Sequence, residues 1–151
     1  VVLPKNKEDT PQPSEAQLQA ICAWLEPRRL ITTELHITGP KYKKVTKISG
    51  RLQIRAGFDL TSVTKAVYAA LVEFFHPIRG GSDAAGWPMG DDIYIGDLYD
   101  LILDTGGVRR ASELQVWLEG QPANSTDVLA LPDGHLPVLT PDSISMVASY
   151  G

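Results

Sequence analysis

Cysteine is nearly absent from this 151-residue chain: Cys22 stands alone, so no disulfide can close within it. It lies inside an apolar helical pattern, where a lone cysteine reads as a small buried hydrophobe rather than a nucleophile. Positive charge is not in excess. Fourteen Lys and Arg against 18 Asp and Glu give a formal net charge of −4, which offers no general attraction for nucleic acid or an anionic membrane. Apolar runs are short and interrupted, and no stretch reads as a signal peptide or a transmembrane helix. The three histidines, His36, His76 and His135, are far apart and lack the HxH or HExxH spacing of a zinc site. Also missing are a phosphate-cradling GxxxxGK[ST] loop, a GxGxxG turn between strand and helix, a GxSxG nucleophile elbow and EF-hand spacing. No cofactor or metal site is expected.

What is present is an unusual loop. Arg79 to Tyr94 places Gly80, Gly81, Gly86 and Gly90 around the pair Trp87-Pro88. Glycine opens backbone angles closed to other residues, and Pro88 holds its own φ while pushing Trp87 towards an extended conformation. Such a segment can fix a large ring while the chain reverses around it, so Trp87 is expected to be buried against a helix. Acidic residues follow at Asp91, Asp92, Asp97, Asp100 and Asp104. The last three share one helical face, which is either a solvated face or a hard-cation site. Lys41, Lys43, Lys44 and Lys47, with Tyr42 among them, read as a solvated strand edge guarded by lysine, with nucleic-acid binding as the minor alternative.

Periodicity outlines the elements. Residues 1–13, with Pro4, Pro11 and Pro13 among charged residues, read as a linker from an upstream region, since the sequence opens on Val1. Ser14 to Gln17 has the form of a capping box, followed by Leu18, Ile21, Cys22 and Leu25 at helical spacing up to Pro27. Leu35-His36-Ile37 is a short extended run closed by Gly39-Pro40. Residues 45–55 alternate, with Ile48, Leu52 and Ile54 on one face and Lys47, Ser49, Arg51 and Gln53 on the other. Asp59 caps a helix striped with Val63, Val67, Ala70, Leu71 and Phe74. A third helix runs from near Gly96 to Gly106-Gly107, and a strand over 112–119 sets Trp117 on the face opposite Val116 and Leu118. Residues 120–151 read as a loop and an extended C-terminal arm or edge strands, broken by Pro137 and Pro141. This order predicts an α+β fold: a small mixed sheet with packed helices, a split βαβ connection of ferredoxin-like character, and the C-terminal arm.

The loop also carries a resemblance. Gly80-Gly81, Asp83, Gly86-Trp87-Pro88 and Gly90, followed by Asp92-Ile93-Tyr94, Leu98-Tyr99 and Gly107-Val108, resemble the baseplate J-like wedge proteins of contractile phage tails and contractile injection systems. Arg28 to Thr33, Leu35-His36-Ile37 and Gly39-Pro40 add an upstream match, and together these span roughly residues 14–118. The resemblance is to the C-terminal part of such proteins, with residues 14–119 as the wedge domain. It implies a non-enzymatic structural subunit, assembled in the cytoplasm into a ring around a central hub and helping couple baseplate change to sheath contraction. Its implied partners are other wedge subunits, hub and sheath-initiator proteins, with no nucleic acid, membrane or small-molecule substrate. The residues read as an interface are Lys41, Lys43, Lys44, Trp117, Leu136, Val138 and Leu139. The competing reading is a small α+β metal-dependent hydrolase using the Gly-Trp-Pro loop as a lid over Asp91, Asp92 and Asp97.

Overall fold

The computed structural model describes residues 1–151. Its spine is one long strand, β1 (Lys41–Ile54), whose alternating pattern buries Ile48, Gly50, Leu52 and Ile54 and leaves Thr46, Lys47 and Arg51 exposed. Val45 is buried too, three residues before Ile48. A bulge reconciles the spacing: Val45 faces Leu118 and Lys47 faces Trp117, so Thr46 is an extra residue that returns Val45 to the buried face.

Strand β3 (Val108–Leu118) runs antiparallel along one edge of β1. On the other edge lie two parallel strands in succession: β5 (His135–Val138) beside Lys41 to Lys44, and β6 (Ile144–Tyr150) beside Ile48 to Ile54. A two-residue ribbon pairs β2 (Ile93–Tyr94) with β4 (Val128–Leu129). The fold is thus α+β with a mixed sheet, as the element order predicts. The connection between β1 and β3 differs from the split βαβ expectation. A split unit needs two parallel strands with another between them, whereas these two are antiparallel neighbours. The parallel returns are made instead by the C-terminal strands.

Helix α2 (Leu60–Phe74) starts where Asp59 accepts hydrogen bonds from the Ser62 backbone N–H at 2.8 Å and its hydroxyl at 2.6 Å. It buries Val63, Val67, Leu71 and Phe74. Helix α3 (Ile95–Asp104) buries Ile95, Leu98 and Ile102. It begins a residue before the expected Gly96, and β3 begins four residues before the expected 112.

Helix α1 (Glu15–Leu25) has the predicted capping box, with Ser14 and Gln17 bonding each other's backbone N–H. Unlike the other helices it buries no residue, and Cys22 is half-exposed rather than a core residue. The run Leu35-His36-Ile37 joins no ladder. Residues 1–13 lie along the body, where Pro11 is buried and its carbonyl accepts the Tyr42 hydroxyl at 2.7 Å.

The expected C-terminal arm is extended but does not hang free. Leu131, Leu136, Leu139 and Ile144 belong to the same buried cluster as Ile48 and Leu71. The sheet therefore draws on both sides of the boundary placed at residue 119. A long central strand needs hydrogen-bonding partners on both edges, and this chain's own C-terminal segments supply one of them.

Candidate functional site

The glycine loop closes by backbone hydrogen bonds that leave no room for side chains. Gly80 N–H donates to the His76 carbonyl, Gly81 N–H to the Phe74 carbonyl and Gly86 N–H to the Gly80 carbonyl, at 2.7 to 2.9 Å. A Cβ on Gly80 would stand 2.1 Å from the Phe74 carbonyl oxygen. Gly86 has φ +111 and a Cβ there would lie 2.9 Å from the Pro77 carbonyl oxygen, so both space and backbone require glycine. Trp87 is 7% exposed. Its ring stacks on Phe75 at 5.5 Å and meets Phe74 edge-on at 5.4 Å, at the C-terminal end of α2. Its Nε1–H donates to the Asp91 carbonyl at 3.2 Å, and the backbone N–H donates to the Pro77 carbonyl. The loop is a plug in the core.

The carboxylates around it serve mostly as local acceptors. Asp92 Oδ1 takes the Leu131 backbone N–H at 3.0 Å, tying the loop to the C-terminal segment, and Asp97 Oδ2 takes the Ser82 hydroxyl at 3.1 Å. Asp91, Asp92 and Asp97 do line one cleft of about 270 Å³ beside Trp87, and Asp97, Asp100 and Asp104 share a groove of about 350 Å³. No three His, Cys, Asp or Glu side chains converge as a metal site. Arg79, the one cation of the loop, is held by Glu73 at 2.7 and 3.1 Å; this keeps the Glu73 carboxyl below its usual range. Asp83 sits exposed near the loop tip. Gly107, at φ +94, and buried Val108 lead from α3 into β3.

The residues read as an interface divide sharply. Lys41 and Lys44 are exposed and Lys43 half-buried; β1 is paired along this stretch with β5 on one edge, while the β3 ladder on the other edge stops at Val45. Leu136 is fully buried and Leu139 nearly so, which removes both from any surface; Val138 is half-buried. Their sequence looks like an arm because it is short and interrupted by proline. Its docking depends on β1, some ninety residues away in the chain. Trp117 is half-buried on the outer face of the sheet, with the Lys47 ammonium 5.0 Å from its ring centre.

Three features carry no sequence signal. His76 is 6% exposed and its Nδ1 accepts the backbone N–H of Ile78 at 3.1 Å and of Arg79 at 3.3 Å, which places the proton on Nε2, where no partner meets it. Burial, reinforced by the Arg79 charge, holds this imidazole below its ordinary range. The Tyr42 hydroxyl is pushed up to about 12, by burial first and then by the Glu8 carboxylate. Glu113 adopts φ +54 at a bulge in β3, where Ser112 and Gln115 face Arg51 and Ser49. It pairs with Arg51 at 2.9 Å, both side chains being largely in solvent.

No protein-family model and no curated protein matches the sequence. The fold is similar to that of a chain in the cryo-EM structure of the anti-feeding prophage (AFP) baseplate, 6-fold symmetrised, with a TM-score of 0.64 and 15% sequence identity. The similarity covers 91% of this chain and 28% of that one, so this chain spans little more than a quarter of the other's length.

Proposed function

We propose that this chain is a structural subunit of the baseplate of a contractile phage tail or contractile injection system, acting in the wedge that closes into a ring around the hub. The observation that carries this reading is the fold likeness to a chain of the AFP baseplate over 91% of the residues. The resemblance of the Gly80 to Gly90 loop and Gly107-Val108 to the baseplate J-like pattern supports it independently of the fold. On this reading the partners are neighbouring wedge subunits together with hub and sheath-initiator proteins. The subunit assembles in the cytoplasm and helps pass baseplate change to the sheath.

The loop's construction favours this over the hydrolase reading. A lid must leave its site to admit substrate, whereas Trp87 is packed against two phenylalanines and bonded to the Asp91 carbonyl. In the cleft beside Trp87, Asp92 and Asp97 are already engaged by a backbone N–H and a hydroxyl donor.

The test is removal of this chain from its parent system, followed by electron microscopy of the particles. The expected result is loss of baseplates and of sheathed particles, restored when the intact chain is supplied again. Normal, contractile particles in its absence would overturn the proposal.

A further inference from the structure

The two outer edges of the sheet are treated differently. On β3 the outward groups are covered by the chain itself: Val116 N–H donates to the Asn124 side chain at 2.7 Å, its carbonyl accepts the Asn124 N–H at 3.1 Å, and Leu114 N–H donates to the Tyr99 hydroxyl at 3.0 Å. On β6 the cover is limited to its first half, where the Tyr68 hydroxyl caps the Met146 N–H. This strand pairs with β1 and with no other. In a parallel ladder alternate residues direct both backbone groups to one neighbour. Gly151 N–H donates to the Ile54 carbonyl, so the odd-numbered residues face β1 and Ile144, Met146, Ala148 and Tyr150 face outward. Met146 N–H is taken by the Tyr68 hydroxyl at 2.9 Å, which agrees with that parity. The N–H groups of Ala148 and Tyr150 remain without a partner in the chain. Val147 and Tyr150 are 66% and 60% exposed on the same strand.

The same molecule contains a segment with the opposite need. Between Thr33 and Thr38 the chain has neither helix nor turn nor ladder. The backbone N–H and C=O groups of Glu34, Leu35, His36 and Ile37 bond to nothing in the chain. The composition is that of a strand, with β-branched residues and apolar Leu35 and Ile37 alternating with Glu34 and His36. Leu18 and Cys22 of α1 line a shallow groove with Leu35 and Ile37, so one face of the segment already carries a helix; the carbonyls at its two ends are taken, Thr33 by the Arg29 guanidinium and Thr38 by the Val2 N–H, and the edges are open between them.

We propose that residues 33–38 of one copy add as a strand to the β6 edge of a second copy. The register that meets the free N–H groups places Leu35 and Ile37 beside Ala148 and Tyr150, beyond the position that Tyr68 caps. Donor and acceptor lie on different surfaces of one chain, so the contact is head-to-tail and can repeat around a ring. A single added strand buries little area, so each pairwise contact is weak in isolation and gains strength from closure.

The test uses the full chain and needs no particle, so it can fail independently of the baseplate reading. Sedimentation of the wild-type chain is expected to show a weight-average mass that rises with concentration. A synthetic peptide of residues 31–39 is expected to suppress that rise, and to shift the amide resonances of Ala148 and Tyr150 in the labelled chain. Ala148→Pro removes an outward N–H and no bond to β1, so it is expected to keep the wild-type circular dichroism and remain monomeric. A chain monomeric at every concentration, a peptide whose shifts avoid β6, or a folded Ala148→Pro chain that associates like wild type would each overturn the proposal. The peptide experiment uses the wild-type chain and decides the matter even if the variant fails to fold.

Discussion

At the scale of single residues, Trp87 and His76 are the two side chains whose burial has the clearest consequences. Trp87 closes the gap between the glycine loop and the end of α2, with rings on two sides. Trp87→Ala is expected to cost about 3–5 kcal/mol, the range for large aromatic truncations in a core. A thermal melt is the check, and an unchanged midpoint would contradict the packing described. His76 makes stability depend on pH. Its folded pKa lies below the 6.5 of a free imidazole, so between the two values the unfolded chain binds more protons. The stability that neutral His76 contributes is therefore complete above about pH 6.5 and is lost as pH falls through the folded pKa. Protonation would also put a hydrogen on Nδ1, which must accept from Ile78 and Arg79. His76→Asn keeps an acceptor but does not titrate. The wild-type chain should lose more stability than this variant between roughly pH 7.5 and pH 5. Equal losses would remove His76 as the cause.

At the scale of elements, β1 explains why the C-terminal strands cannot be spared. Its two edges are served by β3 on one side and by β5 and β6 on the other. An arm would be expendable for folding, but a truncation removing residues 131–151 takes Leu131, Leu136, Leu139 and Ile144 out of the buried cluster and leaves one edge of β1 bare. The expected outcome is a chain without a cooperative thermal transition by circular dichroism. A truncated chain that melts sharply near the wild-type temperature would mean that these strands are an appendage after all. Helix α1 is the converse case. It is well capped yet buries no residue, and Trp24, Leu30 and Ile31 are exposed around it, so its caps and the shallow contact of Leu18 and Cys22 with Leu35 and Ile37 are what hold it.

At the scale of the whole molecule, acidic side chains gather near the glycine loop and lysines near the start of β1, but neither group has the geometry of a reaction centre. Titration with magnesium, calcium and manganese is expected to show no site tighter than about millimolar, the weak end of protein calcium sites. Calorimetry of the full chain checks this, and a micromolar site would restore the hydrolase reading. No helix is long and apolar enough to cross a membrane.

Much was legible in the sequence because it is local. The caps at Ser14 and Asp59, the stripe from Val63 to Phe74, the alternation from Ile48 to Ile54 and the burial of Trp87 each depend on spacing within a few residues or on the backbone freedom of a neighbouring glycine. Proline at 137 likewise restricted its strand to an edge, and β5 is one. Which strand each edge would meet was not legible. The antiparallel choice of β3, the parallel return of β5 and β6, and the bulge at Thr46 are set by packing between segments up to about a hundred residues apart, and a strand's own sequence does not name its partner. For the same reason Leu136 and Leu139 read as surface and are core, while the open edge of β6 and the unpaired backbone of residues 34–37 emerge only once every other hydrogen bond has found its partner.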